Sequence, residues 1–221
     1  MTRRAAAPPE LAPAVVLFAI LVAHSLLETA RDALFLAKLG PQLLAVAYMA
    51  MAACALLAVA AVRRFGRMRE PRRVLIAFLV LALAGTTALA AVIQTSTTFV
   101  FVLYMWTGFV ATLVVPSFWT AIDRAMQIGE AKRMFGAIGA GGVLGAMVGS
   151  AIAATLGRYL DAHYLVAAGA IAFALALVAA IALTPRDAIA EPPVRRRRAE
   201  ALSRESRRYM RLLLVVGVVS T

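Results

Sequence analysis

Four ionisable residues, His24, Glu28, Arg31 and Asp32, interrupt the apolar stretch AHSLLETARDALF. Their spacing of i, i+4, i+7 and i+8 puts all four on one face of a helix. A charge near the centre of a bilayer costs about 2.5–3.5 kcal/mol on insertion scales. Such a stripe must therefore face protein or a polar cavity. Glu28 can pair with Arg31 one turn on, which leaves Asp32 needing another partner or a proton. The chemistry available is binding of a solute or ion along a polar cavity. A buried ion pair that only fixes helix packing would use the same residues.

A second polar stripe lies in FVFVLYMWTGFVATLVVPSFWTAIDRAM. Thr112, Pro116, Trp119, Thr120 and Asp123 share a face at i+4, i+7, i+8 and i+11. Pro116 removes a backbone hydrogen bond and can bend a helix. Trp119 offers a flat amphipathic surface for a ring, or an interfacial anchor. Asp123 and Arg124, followed by Glu130, Lys132 and Arg133, make a mixed-charge cluster. It suits either an ion-pair gate between helix ends or solvated loop charge. No Cys/His cluster with metal-ligand spacing and no nucleophile–base pair is present, so neither an enzyme nor a metal or other cofactor is expected.

The stretch FGAIGAGGVLGAMVGS, residues 135–150, holds six glycines. A dinucleotide fingerprint needs a glycine at its sixth position, after a strand. Starting from Gly139, Leu144 stands there and a charged segment precedes it. Gly141, Gly145 and Gly149 recur every fourth residue, and Ala153 and Gly157 continue the row. Small residues at that spacing let membrane helices approach closely. The stretch reads as a helix–helix contact surface.

The elements that must position these residues follow from composition. Of the 221 residues 63% are hydrophobic and 15% charged, and the mean hydropathy is +0.86. Soluble domains run about 45–50% apolar and about 25% charged, so the chain is expected to sit largely in lipid. Six stretches reach the length of about 20 apolar residues needed to cross a bilayer: 13–37, 42–62, 74–94, 98–121, 135–157 and 162–184. A short stretch at 209–221 reads as the truncated start of a seventh span, as in a fragment. The N-terminal apolar stretch has no clear cleavage site, so no removed signal peptide is expected.

The expected organisation is a cytoplasmic tail over 1–12, a six-helix bundle over 13–184, a basic cytoplasmic linker over 185–208 and the cut helix. With the N-terminus inside, 20 of the 23 Lys and Arg residues fall on the cytoplasmic side, as the positive-inside rule requires. That places the chain as a multi-pass protein of a bacterial inner membrane. The net charge of +12 comes in clusters between spans. It suits lipid headgroups rather than nucleic acid. The single cysteine, Cys54, cannot form an intrachain disulfide.

Six helices, a basic linker and a further apolar start resemble the N-terminal half of a major facilitator superfamily transporter. The basic, glycine-bearing RRFGRMREPRR between the second and third spans is similar to a loop that family places there, although Glu70 is its only carboxylate. LLETARDALFLAKLGPQLL and FWTAIDRAMQIGEAKRMFGAIGAGGVLGAMVGS resemble the nucleotide (ATP/ADP) translocase-like branch. The matching features are Arg31-Asp32, Ala131-Lys132-Arg133 and Phe135-Gly136.

The resemblance implies an all-α membrane fold, half of a twelve-helix bundle. It implies a secondary transporter that moves a small anionic solute by alternating access, with a nucleotide among the candidates. His24, Glu28, Arg31, Asp32, Thr112 and Trp119 would line the cavity. Asp123, Arg124, Glu130, Lys132 and Arg133 would form the cytoplasmic gate. Gly141, Gly145 and Gly149 would give the contact on which two half-bundles rock. A missing C-terminal half or a second copy would complete the pathway. Where the nucleotide exchangers carry a further basic residue, this chain has Glu28, and Glu28, Arg31 and Asp32 sum to −1. The competing reading is a transport-inactive membrane domain that anchors or signals for a lost soluble region.

Overall fold

The computed structural model describes residues 11–65, 70–93, 96–125 and 128–183. These form six α-helices and one short 3-10 turn, Pro41–Leu43, with no strand among the described residues. The helices are α1 (Leu11–Lys38), α2 (Leu44–Phe65), α3 (Pro71–Val92), α4 (Thr97–Ala125), α5 (Ile128–Leu156) and α6 (Ala162–Leu183). All six are long and apolar enough to cross a membrane. The architecture is the expected all-α, six-helix membrane bundle. The expected linker and seventh span lie outside the described residues.

Helices are the open-ended solution to lipid, because each satisfies its own backbone polar groups. The side-chain hydroxyls follow the same rule. Thr29, Thr87, Thr112, Thr120 and Thr155 each donate to the carbonyl four residues back, at 2.7–2.9 Å. Breaks fall where the backbone demands them. Gly40 ends the α1 connection at φ 75°, the one positive φ among the described residues. Pro71 opens α3, where its missing amide costs nothing.

Helix α1 is the centre of the bundle and packs against α4, α5 and α6. Val16, Ile20, Ala23, Leu27, Ala30 and Leu34 are buried along it, in alternating steps of four and three residues. That is the spacing of a seam between nearly parallel helices. Around it, α2 leans on α4, and α3 on α4 and α6. Trp106 of α4 lies over Gly85 of α3 and donates its indole N–H to Thr86 at 3.1 Å. Arg72 at the start of α3 donates to the Ile181 carbonyl near the end of α6, so these two ends lie on one side of the bundle.

The glycine row settles against α1. A methyl group placed on Gly141 or Gly149 would come within 2.8 Å of the carbonyl oxygens of Ala14 and Val22, and one on Gly145 would run into Phe18. The contacts advance four residues at a time on both helices, so α1 and α5 run parallel at very close approach. The row thus meets a helix of its own bundle. The face α5 leaves uncovered carries Val143, Leu144, Met147 and Val148 instead. Bulky side chains on that outer face cover what a smooth rocking contact between halves would need to expose.

Helix α5 also starts at Ile128, seven residues before the expected apolar span at 135. Its apolar part begins at Met134. Glu, Ala, Lys, Arg and Met are strong helix formers, so the charged segment continues the helix although lipid would not accept it.

Gly145→Val should destabilise the bundle by about 1–3 kcal/mol through overpacking. Gly139→Ala, where a methyl group meets nothing within 4 Å, should be neutral or stabilise by up to about 1 kcal/mol. Thermal unfolding of the purified protein in detergent compares the two.

Candidate functional site

The charged residues of α1 converge on one guanidinium. Arg31 donates from Nε to Asp32 Oδ1 at 2.9 Å and from Nη1 to Thr107 Oγ1 at 3.2 Å. Its Nη2 lies 3.9 Å from Glu28 Oε1. The same Glu28 oxygen is 3.3 Å from His24 Nε2. Above the guanidinium carbon lies the ring of Tyr104, 4.5 Å to its centroid, a cation–π contact. The closest acid to Arg31 is therefore Asp32, its chain neighbour, with Glu28 set between Arg31 and His24. The expected Glu28–Arg31 pair exists as the longer of the two, and Asp32 has Arg31 as its partner.

Helix α4 supplies the other wall, with residues outside the sequence-derived stripe. Tyr104 and Thr107 stand one turn apart and face α1, and Thr107 donates onward to the Tyr104 carbonyl at 2.9 Å. Tyr104 is fully buried, tilted at 54° against Phe35 of α1 with ring centroids 4.7 Å apart, and edge-on at 5.8 Å to Tyr48 of α2. Its hydroxyl has no hydrogen-bond partner among the described residues. The signal for these residues was present in the sequence: a Tyr and a Thr three apart in an apolar span, on a face of their own.

Exposure divides the cluster. The Arg31 side chain is 9% exposed, whereas those of Glu28 and Asp32 are 45% and 52% exposed. The cation is sealed between helices and the two carboxylates present its negative side outward. Burial of an arginine is tolerable only when carboxylates and hydroxyls meet its donors; here Asp32 takes Nε, Thr107 takes Nη1, and Glu28 stands 3.9 Å from Nη2.

The second stripe does not join this cluster. Thr112 donates its hydroxyl to the Gly108 carbonyl and, with Pro116, Thr120 and Arg124, lines a separate cavity of about 300 Å³ between α2, α3 and α4. Trp119 packs against Phe118 and against Phe135 of α5, both at 5.5 Å. The stripe splits because its residues spread over about 100° and about three turns of the helix, and so meet different neighbours once three helices surround it. Asp123 and Arg124 are exposed at the end of α4. Glu130, Lys132 and Arg133 lie in α5, but their side chains fall outside the described residues. Among the described residues no cluster of three or more His, Cys, Asp or Glu is placed to hold a metal ion.

Residues 14–221 match the Major Facilitator Superfamily. No curated protein and no solved structure gives a significant match.

Asp32→Asn should cost about 1–2 kcal/mol, allowing for the carboxylate's partial exposure. Glu28→Gln should cost less, since its contact with Arg31 is 1 Å longer. Arg31→Met combined with Asp32→Asn should recover part of the loss, because the buried cation is then gone and the remaining Glu28 carboxylate is half-exposed. Unfolding midpoints of the three variants in detergent test the order.

Proposed function

We propose that this chain, which belongs to the major facilitator superfamily, is a transporter whose accessible ionisable groups are Glu28 and Asp32. The superfamily supports a secondary-transporter-like, multi-pass membrane protein. The observation that carries the finer reading is the exposure pattern around Arg31. A solute or ion entering from the uncovered side meets two half-exposed carboxylates before it meets the guanidinium. Negative potential of that kind attracts a proton or a cationic solute.

In this reading a proton or cation at Asp32 weakens the Arg31–Asp32 pair. Arg31 is then free to exchange partners, and the α1–α4 contact through Thr107 and Tyr104 loosens. Such a change converts a bound charge into a helix movement, as alternating access requires. An anionic solute, a nucleotide included, would have to displace Asp32 from Arg31. It would also approach against the field of Glu28. The geometry therefore favours a cationic or proton-coupled solute over the anionic one implied by the resemblance.

The distribution of Lys and Arg supports an N-terminus on the cytoplasmic side of the plasma membrane. A second six-helix unit, from the same polypeptide or a second copy, would close the pathway opposite α1 and α4.

Proteoliposomes carrying the full gene product and a trapped pH dye provide the test. An organic amine of the right size should drive saturable proton movement. Asp32→Asn and Glu28→Gln should each reduce it at least tenfold while insertion stays intact. Saturable ADP uptake that survives both substitutions would instead establish the anionic reading. No saturable flux with any amine or nucleotide would favour a transport-inactive membrane domain.

A further inference from the structure

Helices α2 and α3 follow one another in the chain, yet each leans on α4 rather than on its neighbour. The space left between them is the cavity of about 300 Å³, walled by Val59 and Val62 of α2 and by Val74 and Phe78 of α3, with α4 as its floor. That is room for about ten water-sized groups. Its floor runs from Thr112 to Arg124, about 18 Å at the helical rise of 1.5 Å per residue. One leaflet of the hydrocarbon core is about 15 Å deep.

The hydroxyl donors of the floor are already used. Thr112, Ser117 and Thr120 turn their hydroxyls onto the carbonyls of Gly108, Val114 and Pro116, at 2.7–2.8 Å. What they offer the cavity is carbon. A polar solute would find few groups there to replace its water, and an empty, mainly apolar cleft in lipid would forfeit dispersion contacts on its walls.

Arg124 is the exception. It is exposed at the end of the groove and makes no hydrogen bond or ion pair among the described residues. Of the neighbouring cations whose side chains are described, Arg73 pairs with Glu70 at 2.8 Å, and Arg72 donates to the Ile181 carbonyl. The groove thus has an apolar trough one leaflet deep and, among the described residues, one cation at its mouth without a partner. Those are the dimensions and charge of one amphiphile with an acyl tail and an anionic head.

We propose that the groove between α2 and α3 is a binding site for an anionic phospholipid, its acyl chain over the α4 floor and its phosphate on Arg124. The site is distinct from the α1 charge cluster and does not depend on what solute that cluster handles. It ties the lipid to the segment of α4 below Pro116, so headgroup composition would bear on how freely that segment moves.

The test uses the full gene product purified in mild detergent. Native mass spectrometry measures retention of phosphatidylglycerol against phosphatidylcholine of the same chain length. A single basic contact near the surface corresponds to about a fivefold preference. We expect such a preference for phosphatidylglycerol in the natural protein and its loss in Arg124→Gln. Val74→Trp, which fills the trough, should reduce retention of both lipids at least threefold. Equal retention of the two lipids by the natural protein, or an undiminished preference in Arg124→Gln, would overturn the proposal. Unchanged retention in Val74→Trp would overturn the placement of the acyl chain.

Discussion

Arg31 carries a charge that no membrane environment can remove, and it does so from the helix at the centre of the bundle. A guanidinium in that place is stable only while its donors are occupied. Asp32 and Thr107 occupy them directly, Glu28 adds to the field, and the Tyr104 ring covers the open face. Satisfying this one group fixes how α1 and α4 face each other. It also decides which polar atoms stay accessible, because the acids that neutralise Arg31 become the outward side of the cluster.

The two interfaces of α1 differ in kind as a consequence. Against α5 the contact is backbone on glycine, with almost no side chain between the helices. Such a contact gains dispersion from close approach and offers no alternative partner to switch to. Against α4 the contact runs through the Arg31–Thr107 hydrogen bond, the Arg31–Tyr104 cation–π contact and tilted ring pairs, with the ion pairs of α1 holding Arg31 in place. Polar contacts of that sort have discrete alternatives, since a carboxylate can be protonated and an arginine can change acceptors. The bundle therefore joins a rigid α1–α5 pair to a contact that responds to charge. A transporter built on this plan would move α1 and α5 together.

The remaining gaps follow from the same geometry. Helix α4 is shared by α1, α2 and α3, which leave part of it uncovered among the described residues. Where α2 and α3 part, lipid has to finish the packing, and the α4 side chains beneath have turned their hydroxyls inward accordingly. Trp119, two helical steps away, is closed off by Phe135 of α5. One helix thus presents a charged lock, a lipid-sized trough and an aromatic seal on three of its sides.

Much of this was legible from residue order alone. Hydropathy located six spans, because lipid selects apolar runs of fixed length. The period of the small residues marked α5 as a packing helix, and the spacing of His24, Glu28, Arg31 and Asp32 marked a charged face on α1. Those are properties of a single helix, and helical periodicity is written in the sequence. Tertiary structure alone decided the partners. It set Asp32 rather than Glu28 closest to Arg31, and it brought Tyr104 and Thr107 to the site in place of Thr112 and Trp119. It also turned the glycine row toward α1. The physical reason is that periodicity gives the faces of a helix but not which neighbour each face meets. That choice is made by the packing of six helices at once, in which side chains 76 residues apart, such as Arg31 and Thr107, come within hydrogen-bonding distance.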